Sequence, residues 1–169
     1  MAESGSVPFH KLTLEEARAS ALAIVELSGP ADETIDTAAF EASGPAGPIA
    51  IRRYRHRSSQ GNSSALIYFH GGGHCIGSIA THERICQALA RTCALTVLSV
   101  DYRLAPEHPF PAGPRDCFAA TRWISANARE LEIDATRIAV GGDSAGGNLA
   151  TVVCQMAKQE SGPAIDAQG

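Results

Sequence analysis

Gly142-Asp143-Ser144-Ala145-Gly146 fits the pattern G-x-S-x-G, which lifts a serine hydroxyl out of a sharp turn. The surroundings agree with the pattern. Arg137 to Gly141 reads as a short apolar strand and Ala145 to Lys158 as a helix, so the serine falls between the two. Glycines two residues before and after it let strand and helix approach closely, and the helix N-terminus adds partial positive charge beside the hydroxyl. That setting suits a nucleophile whose intermediate is an anion. A lone match of this length also occurs at ordinary glycine-rich turns, so a second signal is needed.

The second signal is His70-Gly71-Gly72-Gly73, which follows the apolar run Ala65 to Phe69. Consecutive glycines remove the side chains that would block an oxyanion. The N–H groups of Gly71 and Gly72 are expected to converge with that of Ala145 on one developing negative charge. The same glycines could cradle a phosphate, but there is no G-x-G-x-x-G and no Walker lysine. What is missing is a base. On a turn of this kind an acid and then a histidine follow the serine in chain order. The 25 residues after Ser144 include Glu160 and Asp166 but no histidine, and His10, His56, His70, His74, His82 and His108 all precede it.

The elements that hold these residues are readable from periodicity. Thr13 and Glu16 form a capping box, and apolar residues from Leu14 to Val25 recur at helical spacing until Gly29-Pro30, giving a helix of about 15 residues. Thr34 to Ala42 and Pro48 to His56 read as the arms of a hairpin around Gly44-Pro45-Ala46-Gly47-Pro48. Ala65 to Phe69, Ala94 to Val100 and Arg137 to Gly141 are nearly continuous apolar runs, as in strands buried on both faces. Helical stretches at Thr81 to Arg91 and Arg115 to Arg129 separate them. This alternation predicts an α/β fold with a mostly parallel sheet and helices on both faces. Gln60 to Ser63, His70 to Ala80 and Asp101 to Pro114 are expected loops. Arg52, Arg53, Arg55 and Arg57 are expected to form a solvated face of the hairpin. Trp123, with Phe118 and Ile124, is expected in the core.

Composition excludes several classes. Of 169 residues 44% are hydrophobic and 19% charged, the profile of one soluble globular domain. Fourteen Lys and Arg against 18 Asp and Glu leave a net charge of -4, with no footprint for nucleic acid or an anionic membrane. Cys75, Cys86, Cys93, Cys117 and Cys154 are odd in number and lack a CxxC pair, so they read as small buried apolar groups and no metal site is expected. Glu3 and Pro8 interrupt any signal-peptide pattern, and no apolar run reaches about 18 residues. A cytoplasmic protein without a stable membrane anchor is the expectation.

Together with the two glycine motifs, the stretch Asp101 to Ala112 and the extension to Gly147-Asn148 make the chain resemble the hormone-sensitive lipase family of α/β-hydrolases, from about residue 10 to residue 158. The resemblance implies an α/β-hydrolase fold, with residues 1–32 as a helical cap segment. Residues 33–169 would be the N-terminal part of the catalytic domain, truncated after the helix that follows Ser144. It implies Ser144 as nucleophile and Gly71, Gly72 and Ala145 as oxyanion hole. His70, Gly73, Asp143 and Gly146 would support them, without cofactor. The implied partner is a small ester of a short to medium acid, and a homodimer of the complete protein is left open. His70 is implied to order its loop, Asp101, Arg103 and Glu107 are expected to fix loops, and Asp143 to orient backbone. His82 and His108 are expected to be solvated or capping. His74 departs from the family, which commonly has an aromatic or bulky apolar residue there. Three readings follow from the missing base: a fragment of an esterase, inactive alone; a non-catalytic member that binds a small molecule; and an inert truncated product.

Overall fold

The computed structural model describes residues 11–27 and 29–169. His10, the stretch read for a signal peptide and the side chain of Ile24 lie outside the described residues. Helix α1 (Leu14–Leu27) opens on the predicted capping box. The Glu16 carboxylate accepts from the Thr13 N–H at 2.7 Å and from the Thr13 hydroxyl at 2.8 Å. Strands β1 (Ile35–Gly44) and β2 (Gly47–His56) form the expected antiparallel hairpin. There follow β3 (Ser63–Phe69), a single 3-10 turn (Ala80–His82) leading into α2 (Glu83–Cys93), and β4 (Thr96–Val100). Helix α3 (Ala112–Ala126), β5 (Ile133–Gly142), α4 (Ala145–Gln159) and β6 (Ala167–Gln168) complete the order.

One sheet runs β1-β2-β4-β3-β5-β6. Its hairpin edge is antiparallel, while β4, β3, β5 and β6 are mutually parallel. The period-2 alternation of strands sorts the core into two layers. Ala65, Ile67 and Phe69 of β3 join Leu98 and Val100 of β4 on the side covered by α3 and α4. Tyr68 and Val97 face the other side with Cys86 and Ala90 of α2. Central strands buried on both faces explain the continuous apolar runs.

Four expectations change. Helix α3 begins at Ala112, inside the expected loop, because proline is tolerated in the first turn of a helix, where its missing N–H would be unpaired anyway, and Pro114 lies there. Strand β5 begins at Ile133 rather than Arg137, with a register shift that leaves Ala135 to Arg137 exposed. Pairing continues past α4, where the resemblance implied truncation, since β6 pairs with Ala139 and Val140 of β5. The arginine run is a solvated face only in part: Arg57 is exposed and Arg52 half-buried, but the two between them are not solvated. Arg53 and Arg55 are 8% and 7% exposed, and Glu132 takes Arg53 on one oxygen at 2.5 Å and Arg55 on the other at 2.8 Å. Burying such charges is tolerable only because they are paired.

Among the cysteines, Cys86 and Cys117 are buried as expected, Cys75 and Cys154 are half-buried, and Cys93 is exposed; all five are free. Trp123 packs against the main core. Among the described residues no helix is long and apolar enough to cross a membrane.

Helix α1 is tied to the rest of the molecule through Arg18. Its guanidinium meets the Glu107 carboxylate at 2.7 and 2.9 Å and donates to the carbonyls of Cys75 and Ala105. Hydrogen bonding from Arg18 holds the Glu107 carboxyl down from 4.5 to about 2. A carboxylate lowered in the folded state stabilises the fold at pH above its unfolded value, and the contribution disappears as pH falls through the folded value. The clamp is therefore expected to be at full strength above pH 4.5 and to be lost as pH approaches about 2. Protection factors of the α1 amides, taken relative to the intrinsic exchange rate at each pH, should fall as pH drops through that window; protection unchanged at the acid end would contradict it.

Candidate active site

Parallel pairing of β3 with β5 aligns Phe69 with Gly142, so the two loops that leave these strands emerge side by side at their carboxyl ends. Ser144 sits in the turn from β5 into α4 with φ 52° and ψ -114°, a conformation that costs a non-glycine residue on the order of 1–3 kcal/mol. The turn is held by the Gly146 N–H on the Asp143 carbonyl at 2.8 Å and by the Asn148 N–H on the Ser144 carbonyl at 3.2 Å. Ser144 is exposed and Ala145 buried. Gly146 is required by close approach: a Cβ there would overlap the Phe69 carbonyl oxygen, which belongs to backbone and cannot turn away.

On the other side, Gly72, Gly73 and His74 all have positive φ, at 121°, 59° and 64°. Two amides, of Cys75 and Ile76, converge on the Gly72 carbonyl at 3.1 and 3.0 Å and close the loop. Glycine is needed at 72, where a side chain would combine an unfavourable φ with contact on the Ile76 carbonyl. His70 is fully buried, its ring stacked 4.4 Å from that of Tyr102, whose hydroxyl donates to the His70 carbonyl at 2.7 Å. Its Nδ1 lies 2.8 Å from the Gly71 carbonyl, an acceptor, so Nδ1 carries the proton. Burial pushes this imidazole below its ordinary value. His70 is thus a neutral ring bonded to its own loop.

Asp143 joins the two loops. One oxygen, Oδ1, accepts from the Tyr68 hydroxyl at 2.7 Å and from the Gly71 N–H at 2.9 Å, and lies 3.3 Å from His82 Nε2. Burial pushes this carboxyl up, but the Tyr68 hydroxyl, His82 and the Gly71 N–H outweigh it and hold it below its ordinary value. The expected backbone-orienting role of Asp143 is what these contacts describe. They also separate the glycine donors. The Gly71 N–H, expected to face an oxyanion, is already committed to Asp143. The N–H groups of Gly72, Gly73 and Ala145 meet no acceptor among the described residues.

The segment after β4 fastens the glycine loop from outside. Arg103 makes a two-pronged contact with buried Asp116 at 2.7 and 2.8 Å, and the Ala105 N–H donates to the His74 carbonyl at 2.9 Å. Asp101 accepts from the Ile79 N–H at 3.4 Å, so the three expected loop-fixing charges all hold loop segments. A cavity of about 200 Å³ opens here, lined by His74, Tyr102, His108, Phe110 and, one helical turn after Ser144, Asn148. No histidine among the described residues is hydrogen-bonded to the Ser144 hydroxyl. Two participants escaped the sequence reading. Tyr68 looked like core, and His82, expected to be solvated or capping, is half-buried without a capping bond.

Comparison with known proteins agrees with this fold. A family profile described as the alpha/beta hydrolase fold matches residues 66–169. Esterase LipI of Mycobacterium tuberculosis is 48% identical over 124 residues, which cover 72% of this chain and 39% of LipI. The ethyl acetate hydrolase of Pseudomonas putida is 38% identical over 162 residues, or 90% of this chain and 50% of its own length. Among solved structures, the Pyrobaculum calidifontis esterase superimposes with a TM-score of 0.83 at 38% identity, covering 92% of this chain and 51% of that one. The chain thus spans about half the length of these relatives or less.

The close approach at Gly146 gives a direct test. Gly146→Ala is expected to destabilise the chain by about 3 kcal/mol, the upper part of the usual range for overpacking, because the obstructing atom is backbone. Urea unfolding measures this, and a loss under about 1 kcal/mol would show that the turn has room to open.

Proposed function

The chain belongs to the α/β-hydrolases, in the esterase group that resembles hormone-sensitive lipase, and on that premise we propose that it carries the nucleophile and oxyanion site of a carboxylic ester hydrolase. In this reading Ser144 Oγ attacks the ester carbonyl carbon, the alcohol leaves, and water later releases the acid from the acyl-enzyme. The observation that carries it is the set of three unengaged N–H groups, of Gly72, Gly73 and Ala145, next to a serine held in a strained turn. Gly73 takes the place first expected for Gly71, whose N–H serves to seat the loop. Each such donor is worth about 3 kcal/mol at the transition state.

The general base is a histidine outside these 169 residues, in the part of the relatives' length that the chain does not span. Within the chain His70 is bonded to its own loop and His82 faces Asp143. The cavity beside Asn148 receives one arm of a small ester, and α1, clamped by Arg18, is part of the cover. The names of the relatives, esterases and an ethyl acetate hydrolase among them, support substrates with short to medium acids.

The test is a chimera in which these 169 residues replace the matching segment of Esterase LipI. It is expected to hydrolyse p-nitrophenyl acetate, and Ser144→Ala to lower kcat by at least about 10³-fold. The 169-residue chain alone is expected to show negligible turnover. A folded chimera without activity, or one indifferent to Ser144→Ala, would overturn the reading.

A further inference from the structure

The polar cluster beneath the glycine loop holds one titratable side chain that the reaction as proposed leaves unused. His82 ends the 3-10 turn before α2, and its side chain is only 14% exposed. Its ring lies against two others, 5.5 Å from His70 and 6.2 Å from Tyr68. Nε2 faces Asp143 Oδ1 at 3.3 Å, and Nδ1 faces the Thr81 hydroxyl at 2.8 Å.

Proton accounting gives the Nε2 contact a direction. An ionised carboxylate has no proton to give, so the contact is favourable only with the proton on Nε2. Thr81 accommodates either charge state of the ring. Its oxygen accepts from the Ser78 N–H at 2.8 Å and lies 2.9 Å from the Ser78 carbonyl. With a neutral imidazole the hydroxyl proton turns to Nδ1; with an imidazolium it turns to the Ser78 carbonyl and the oxygen accepts from Nδ1 instead. In both cases Nε2 keeps its proton on the side of Asp143, at the 3.3 Å of an ion-pair contact.

The oxygen it meets is the one that seats Gly71. Tyr68 donates to Oδ1 from β3 and His82 lies 3.3 Å from it at the turn before α2, so two elements meet the oxygen on which the loop amide docks. We propose that His82 is a positioning residue: through Nε2–H it fixes the Asp143 oxygen that seats the Gly71 amide, and so sets where the N–H groups of Gly72 and Gly73 point. The catalytic consequence rests on the reading of those groups as oxyanion donors. The seating of Gly71 does not.

The test uses NMR of the 169-residue chain. The imidazole nitrogen spectrum of the neutral His82 ring is expected to show the proton on Nε2. His82→Phe keeps a ring and removes the donor. Exchange of the Gly71 amide is expected to rise about tenfold, as for loss of one hydrogen bond to a charged group, while the amides of Val97 and Leu98 in β4 stay protected. His82→Gln, which can again donate from its amide, should restore Gly71 protection. Unaltered Gly71 exchange in His82→Phe, no rescue by His82→Gln, or an unprotonated Nε2 in the parent chain would each overturn the proposal. The last needs no variant, so it decides the matter even if His82→Phe fails to fold. In the LipI chimera, His82→Phe should lower kcat about tenfold with KM unchanged, and His82→Gln should recover it. A chimera inactive with His82 intact would sink the ester-hydrolase reading while the amide results still judge the positioning.

Discussion

The last carbonyl of β3, on Phe69, lies against the Cα atoms of both Gly142 and Gly146, at a separation no side-chain carbon could share. Much of the site follows from that approach. It lets α4 cross directly over the end of β3, with Leu149 and Val153 in the core beneath, and it forces the chain to turn within three residues. Ser144 is left at the apex in a conformation it would not choose. Such strain persists only where the flanks are over-determined, and here both are anchored, one by the β5 ladder and the other by the packed helix. The next residue of β3's own chain is His70, so the glycine loop begins at the same point at which the turn is pinned.

Two loops that meet at one point still need something to set their mutual orientation, and in this chain carboxylates do so. Asp143 takes the Gly71 amide, Asp116 takes Arg103, and Glu107 takes Arg18. Each reaches from one segment to another and turns a loop with few ladder hydrogen bonds into a fixed surface. Their energetics differ with burial. Asp116 is 1% exposed and receives a forked guanidinium, the geometry that makes a buried ion pair worthwhile, whereas the Arg18 to Glu107 contact is open to solvent and screened. The Arg103 to Asp116 pair is therefore the more firmly held, and the clamp on α1 the less.

What the sequence made legible was the repeating part of the architecture and the glycine motifs. Apolar runs identify strands buried on both faces, and the hairpin follows from its turn residues, because each of these signals is local. The errors have local causes too. Pro114 disguised the start of α3, and the polar residues of the bulge hid the first half of β5. Arg53 and Arg55 looked solvated because their partner, Glu132, comes from a segment 79 residues beyond Arg53, and a charge run reads as surface until its counter-charge is found.

The glycine loop shows a sharper limit. Three identical residues in a row offer three identical backbone donors, and nothing in their order says which is already taken. The choice depends on an acceptor 72 residues away, on how that carboxylate is turned, and on whether Tyr68 and His82 hold it there. A motif can therefore announce that a hole for an anion exists without saying which amides build it. The amide of the first glycine is the one the fold uses for its own assembly, since it is the first of the three to come within reach of the neighbouring strand's turn. Beyond it, Gly72 and Gly73 take positive φ and their N–H groups swing past that contact, which is why glycine is needed at the second position as well as at the first.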